Sequence, residues 1–365
     1  MAGVYICFPF CAQKCTYCNF ASGVFPRQLE QSYVAAVADE IRSHDWAWRP
    51  ETVYIGGGSP SRLDPGGIEA LLSEIPGHPW LEATIEAAPG EITNEKAASW
   101  RSLGINRVSL GVQSFIKEEL AGTGRRHTAQ KVEEDIDCLM AAGIDNINVD
   151  LIAGLPMQSL ASFASSLDWV ERLGVPHVSV YMLEVDDDSR LGRELIGEGV
   201  RYGAAKVPTD EEIVAMYELA VDRLAQTGVP RYEISNFARP RAESRHNLKY
   251  WLLEPYAGFG ADAHSFDGTV RRRNAETAAE YVARWEKKEP VCIEQSPASP
   301  GQERFFVGLR VMDGVALGAD EYSRLAEPID RFLEAGLLER SGTRLRLTGR
   351  GVIYSNEVLQ EFVTT

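Results

Sequence analysis

Cys11, Cys15 and Cys18 stand in the spacing C-x3-C-x2-C within the stretch Tyr-Ile-Cys-Phe-Pro-Phe-Cys-Ala-Gln-Lys-Cys-Thr-Tyr-Cys-Asn-Phe, residues 5 to 20. Three thiolates on one short loop can converge on three corners of an iron–sulfur cluster, for which cysteine is the soft ligand. A cubic [4Fe–4S] cluster would then keep one iron without a protein ligand, open to a small molecule. Tyr17, between the second and third cysteines, offers a ring face to a base such as adenine. A zinc site is the alternative. Structural zinc takes four protein ligands, and Cys7 could supply the fourth.

The same spacing, with an aromatic residue directly before the last cysteine, resembles the signature of the radical SAM superfamily. The resemblance implies S-adenosylmethionine (SAM) on the open iron, where reductive cleavage yields a radical.

A loop of this kind needs a scaffold that holds it beside other polar groups. The first two-thirds of the chain alternates β-rich apolar runs with helical segments. Strands are expected at Val4–Phe8, Thr52–Ile55, Ala83–Ala87, Arg107–Val112, Asn146–Ile152 and His177–Leu183. Helical spacing joins Leu29, Val34, Val37 and Ile41, and later Val132, Ile136, Leu139 and Met140. A further helix from Asp210 to about Ala225 has a capping box in Thr209 and Glu212, with Gly228 beyond its end. Six β-then-α units in series imply parallel strands with right-handed crossovers, so an α/β fold with a partial, TIM-like (β/α)6 barrel is expected.

Ligands of parallel α/β folds gather at the carboxyl ends of the strands. There the sequence places the cysteine loop, then Gly56-Gly57-Gly58-Ser59-Pro60-Ser61, Glu86 with Pro89-Gly90, Gln113-Ser114-Phe115, and Asp150 followed by Gly154-Leu155-Pro156. The order of these pieces resembles the branch of radical SAM proteins that contains oxygen-independent coproporphyrinogen III oxidase and its HemW-type heme-chaperone relatives. Ser109-Leu110-Gly111-Val112-Gln113-Ser114-Phe115, Gly124-Arg125 with His127, and Asn148-Val149-Asp150-Leu151-Ile152 carry it further. Position by position, the resemblance implies that Tyr5, Gly57, Gly58, Ser59, Glu86, Gln113, Arg125 and Asp150 contact SAM. Their chemistry suits the role. Glu86 and Asp150 accept from an ammonium or ribose hydroxyls, Arg125 pairs with a carboxylate, and the glycines let backbone approach a methionyl group.

Within that branch, the oxidase pattern resembles C-x3-C-x2-C-x-C and follows an N-terminal arm. Phe20 occupies the fourth cysteine's place here and the first ligand is already Cys11, so a chaperone is expected. His246-Asn247-Leu248-Lys249-Tyr250-Trp251 matches the H-N-x-x-Y-W element of the chaperones, which implies heme held by His246 with Tyr250 and Trp251 against the porphyrin. His264 is a second candidate contact. Two positions depart from the family pattern: Cys7 stands where most relatives carry His, and Ser244 where many carry Cys. The alternatives are coproporphyrinogen III oxidase itself and a related radical SAM methyltransferase, and whether the protein turns over a substrate stays open.

The chain of 365 residues is 44% hydrophobic, enough for two or three domains, taken as 1–235, 236–299 and 300–365. The last resembles a winged helix: helices at Glu303–Val311 and Asp320–Leu333, a hairpin over Leu345–Gly351 and a last helix near Val352. With 53 acidic against 37 basic residues the net charge is −16, which disfavours nucleic acid or an anionic membrane as the main partner, and together with the resemblance to the family's own C-terminal domain it implies that this piece is a lid or partner surface. No apolar run reaches transmembrane length, no secretory signal opens the chain, and an oxidising compartment would scramble the four cysteines between residues 7 and 18. A cytoplasmic protein is therefore expected, with heme and acceptor hemoproteins as partners. The resemblance leaves room for peripheral contact with membrane hemoproteins and for a homodimer.

Overall fold

Along each of the first six strands, apolar residues alternate with polar ones. In the computed structural model, which describes residues 2–363, this alternation builds a partial barrel. The strands are β1 (Gly3–Phe8), β2 (Thr52–Gly57), β3 (Glu82–Ala87), β4 (Arg107–Gln113), β5 (Asn146–Ala153) and β6 (His177–Met182), each parallel to the next and joined by helices. Val4, Ile6, Val53, Ile55, Val108, Leu110, Val149 and Val178 are buried in the apolar core. Each is worth about 1.5–3 kcal/mol of burial. The alternate positions, among them Tyr54, Glu86, Ser109, Asn148, Asp150 and Ser179, line the cleft inside. A strand with period two is thus what turns a row of polar side chains inward.

The expected (β/α)6 unit is part of a wider sheet. The segment 236–299 supplies β7 (Asn236–Ala238), β8 (Tyr256–Phe259), β9 (His264–Phe266), β10 (Val270–Asn274) and β11 (Cys292–Pro297) to one eleven-stranded sheet, in the order β11-β10-β9-β8-β1-β2-β3-β4-β5-β6-β7. The first strand is therefore central, with β8 parallel to it on the side away from β2.

Helix packing follows the expected stripes with one exception. Helix Arg27–Ser43 buries Tyr33, Val37 and Ile41. Helix Ala129–Ala141 buries Val132, Ile136 and Leu139, but Met140 is 58% exposed and Asp135 takes the inward place. That carboxylate is held there by the backbone N–H of Gly90 and by Lys131 at 3.2 Å, an arrangement hydrophobic spacing does not reveal. Helix Asp210–Gln226 closes its first turn with the expected capping box of Thr209 and Glu212.

Beyond residue 299 come helices Pro300–Gly308 and Ala319–Glu334 and a small antiparallel sheet of β12 (Val315–Ala316), β13 (Leu338–Ser341) and β14 (Arg344–Leu347), then two short helices. The hairpin turns earlier than the sequence suggests. Gly342 takes the left-handed conformation between β13 and β14, whereas Thr348 caps a helix that begins at Gly349. No helix among the described residues is long and apolar enough to cross a membrane.

Candidate functional site

The cysteine loop leaves the carboxyl end of β1 and is tied down by backbone. Cys11 N–H donates to Gly23 C=O at 2.8 Å, Gly58 N–H to Phe8 C=O at 2.8 Å, Ser59 N–H to Phe10 C=O at 2.9 Å, and Leu191 N–H to Thr16 C=O at 2.8 Å. The role of Gly58 is steric. A Cβ there would lie 2.7 Å from Phe10 O and 2.8 Å from Pro9 C, both backbone atoms that cannot yield cheaply. Gly58→Ala is expected to cost about 1–3 kcal/mol and to loosen the loop. Chemical denaturation should show the loss, together with poorer iron retention after reconstitution.

Cys11, Cys15 and Cys18 are partly exposed free thiols at the mouth of a cleft of about 510 Å³. Burial raises the Cys11 thiol above its usual value, so a cation or cluster is needed to hold it as thiolate. Among the described residues, the single group of three or more ligand atoms that all lie within 4.8 Å is Asp186, Asp187 and Asp188, so at least one pair of the three sulfurs stands farther apart than that. One zinc ion with ~2.3 Å bonds to sulfur would need them closer. Cys7, the proposed fourth zinc ligand, lies instead on β1 against Gly57, its thiol pushed up to about 12 by burial. The donor set fits a cluster with a separate iron for each sulfur.

Tyr17, Gly57, Gly58, Ser59, Glu86, Gln113, Arg125 and Asp150 line the same cleft as the cysteines. A register shift between Leu110 and Gln113, with Gln113 at φ +70°, marks the end of β4 where the glutamine enters the cleft. Glu86 accepts from Tyr54 OH at 2.9 Å and Gly57 N–H at 3.0 Å, and its carboxyl is raised to about 7 by burial, with Asp150 adding to the rise. Asp150 accepts from Asn148 Nδ2 at 2.7 Å and Ser109 Oγ at 3.1 Å, and burial raises it too. Arg125 donates to Gly111 C=O, while its Nε and the Tyr17 hydroxyl are buried without partners. Such unsatisfied polar groups at a cleft wall suit a polar ligand. Sequence reasoning missed Tyr54, Ser109, Asn148 and Ser179, which hold the acids in place. Their inward positions on the strands were the available signal.

Two expected residues stand elsewhere. Tyr5 faces a smaller adjoining cavity that it shares with Cys7, Phe20, Gly57 and Glu86, so it meets the cleft through a common wall. His246 lies at the opposite end of the barrel. It is 1% exposed on helix Arg245–Trp251, with Nδ1 at 2.9 Å from Thr52 Oγ1 and Nε2 at 2.8 Å from Tyr250 OH. Its ring stacks on Tyr54, and Glu82 accepts from the His246 N–H at 2.9 Å. Thr52 and Glu82 begin their strands. At ~3.3 Å per residue, His246 sits about 17 Å along β2 from Gly57. Both ring nitrogens are hydrogen-bonded to hydroxyls in this arrangement, so an iron could take either one only by displacing Thr52 Oγ1 or Tyr250 OH. Ser244 caps the same helix through Asn247 N–H at 3.3 Å. His264 lies on β9, outward and exposed.

The radical SAM superfamily model matches residues 5–170. Heme chaperone HemW of Lactococcus lactis is 32% identical, covering 98% of this chain and 96% of its own length. The chain belongs to the heme chaperone HemW family. Heme chaperone HemW of Mycobacterium tuberculosis, another member of the family, is 35% identical over 98% of this chain and 94% of its own. Among solved structures, the radical SAM enzyme coproporphyrinogen III oxidase of Escherichia coli superposes with a TM-score of 0.86 at 21% identity, covering all of this chain and 90% of that one, which shows the shared fold.

Proposed function

We propose that this protein is a heme chaperone that carries a [4Fe–4S] cluster on Cys11, Cys15 and Cys18, binds SAM beside it, and delivers heme to acceptor hemoproteins. The observation that carries the reading is the convergence of three thiols with Tyr17, Glu86, Gln113, Arg125 and Asp150 on one cleft. The cluster, when bound, supplies an open iron and an electron to the SAM sulfonium. The chain's own part is to position. Arg125 presents its guanidinium to a carboxylate, Glu86 and Asp150 accept from an ammonium or hydroxyls, and the Tyr17 ring walls the pocket. The reading includes a cytoplasmic location, because the clustered thiols need a reducing compartment.

For heme we favour the mouth of the cleft. Phe20, 66% exposed, borders both cavities on the rim of the cysteine loop and offers a face to a flat macrocycle. The test is an anaerobic heme titration of cluster-reconstituted protein beside Phe20→Ala and His246→Ala. Saturable binding near one heme per chain is expected, roughly three- to tenfold weaker without Phe20 and unchanged without His246. Absence of saturable binding by the unaltered protein would sink the chaperone reading. Stoichiometric formation of protoporphyrinogen from coproporphyrinogen III would replace it with the oxidase.

A further inference from the structure

Helix Arg245–Trp251 plugs the end of the barrel away from the cysteines, and the cleft runs down to it, reaching Asn247. At that depth two guanidinium groups line the cleft. Arg107, the first residue of β4, is 2% exposed, yet its Nε has no hydrogen-bond partner and no ion pair holds the group among the described residues. Arg310 follows helix Pro300–Gly308, lies over the Trp251 ring at 4.5 Å, and has an equally orphaned Nε. Asp150 feels the charge of Arg107 and Glu233 that of Arg310, but neither acid forms an ion pair with them among the described residues, and the hydrogen bonds of the nearby acids go elsewhere. Glu86 and Asp150 have the partners given above, and Glu233 accepts from Ser235 N–H at 3.0 Å and from Asn236 Nδ2.

A guanidinium has only donors, and a buried one without a partner is strongly disfavoured unless a ligand completes it. Its planar fork matches a carboxylate. A dianionic phosphate would meet repulsion from Glu86, Asp150 and Glu233, whereas a monoanion is tolerated. We propose that Arg107 and Arg310 form a carboxylate subsite at the floor of the cleft, taking an acid side arm of the tetrapyrrole. This rests on the heme reading above. The same carboxylate chemistry could come from the methionyl end of SAM, although Arg125 already faces that ligand near the cysteines.

The experiment uses cluster-reconstituted full-length protein under anaerobic conditions. Heme and heme dimethyl ester are titrated by absorbance, and SAM by equilibrium dialysis, against the unaltered protein, Arg107→Met, Arg107→Lys and Arg310→Met. Either Met variant is expected to weaken heme binding at least tenfold and to leave SAM affinity unchanged. The ester should bind the unaltered protein as weakly as heme binds Arg107→Met, and Arg107→Lys should recover part of the loss. Removing an unpaired buried charge should not lower the melting temperature, and Arg310→Met gives an independent reading if Arg107→Met fails to fold. Equal binding of heme and its ester, or heme binding indifferent to both arginines, overturns the subsite. A loss confined to SAM affinity assigns the carboxylate to the methionyl group and overturns the tetrapyrrole arm. If the unaltered protein binds no heme, the parent reading fails, and SAM affinity indifferent to Arg107→Met then overturns the subsite as well.

Discussion

Cys15→Ala is expected to abolish the iron–sulfur chromophore. Reconstituted unaltered protein should hold about four iron atoms per chain, and the variant less than about one, with the broad absorbance of the cluster lost. Two thiols cannot fix a cube that three hold, and the loop offers no substitute ligand, because Cys7 lies apart on β1. The protein should still fold, since the backbone N–H and C=O of Thr16, the residue after Cys15, are bonded to Thr123 and Leu191 and secure the loop. Cys7→Ser is the control and should keep its iron. Full iron in Cys15→Ala, or iron lost equally in Cys7→Ser, would refute the three-cysteine assignment.

His246→Ala should destabilise the fold by roughly 2–4 kcal/mol. The substitution leaves Thr52 Oγ1 and Tyr250 OH without their partner and opens a void beneath the Tyr54 ring. Denaturant titration checks it, and a variant that loses heme with undiminished stability would show that the ring is a ligand after all. The pH dependence is a second signature. Burial holds the folded-state pKa of His246 down to about 3, against about 6.5 in the unfolded chain. As pH falls below about 6.5 the unfolded state takes up a proton that the folded state refuses. Stability is thus complete above that pH and declines by up to ~1.4 kcal/mol per unit below it, levelling off near pH 3. His177, also buried and lowered, acts in the same direction, so His246→Ala should flatten the acid limb without removing it.

Local pattern made much of the site legible. β-rich apolar runs between helical segments marked the six strands and the carboxyl ends that bear Glu86 and Asp150, and the cysteine spacing located the loop without any tertiary information. Long-range partners were not legible. The H-N-x-x-Y-W string offers a ligand-like histidine, but nothing near it in sequence tells that Thr52 and Glu82, 194 and 164 residues earlier, will engage its ring and its backbone N–H. Asp135 misled the helical stripe for the same reason, since its partner Gly90 is distant. The hairpin was misplaced because Gly349 and Gly351 look like a turn, whereas a threonine before them starts a helix.

The central position of β1 bears on how the protein is made. The strand that carries the cysteine loop emerges from the ribosome before its neighbours, yet one of its edges waits for β8, whose residues Tyr256–Phe259 appear some 250 positions later. At ~5–20 residues per second that edge stays unpaired for roughly ten seconds or more. During this interval it is a template for wrong pairing, and loop closure over so long a span is intrinsically slow. The nascent chain would therefore gain from a holding partner until β8 and the plug helix arrive, and a truncation before residue 256 should yield insoluble protein rather than a smaller working barrel.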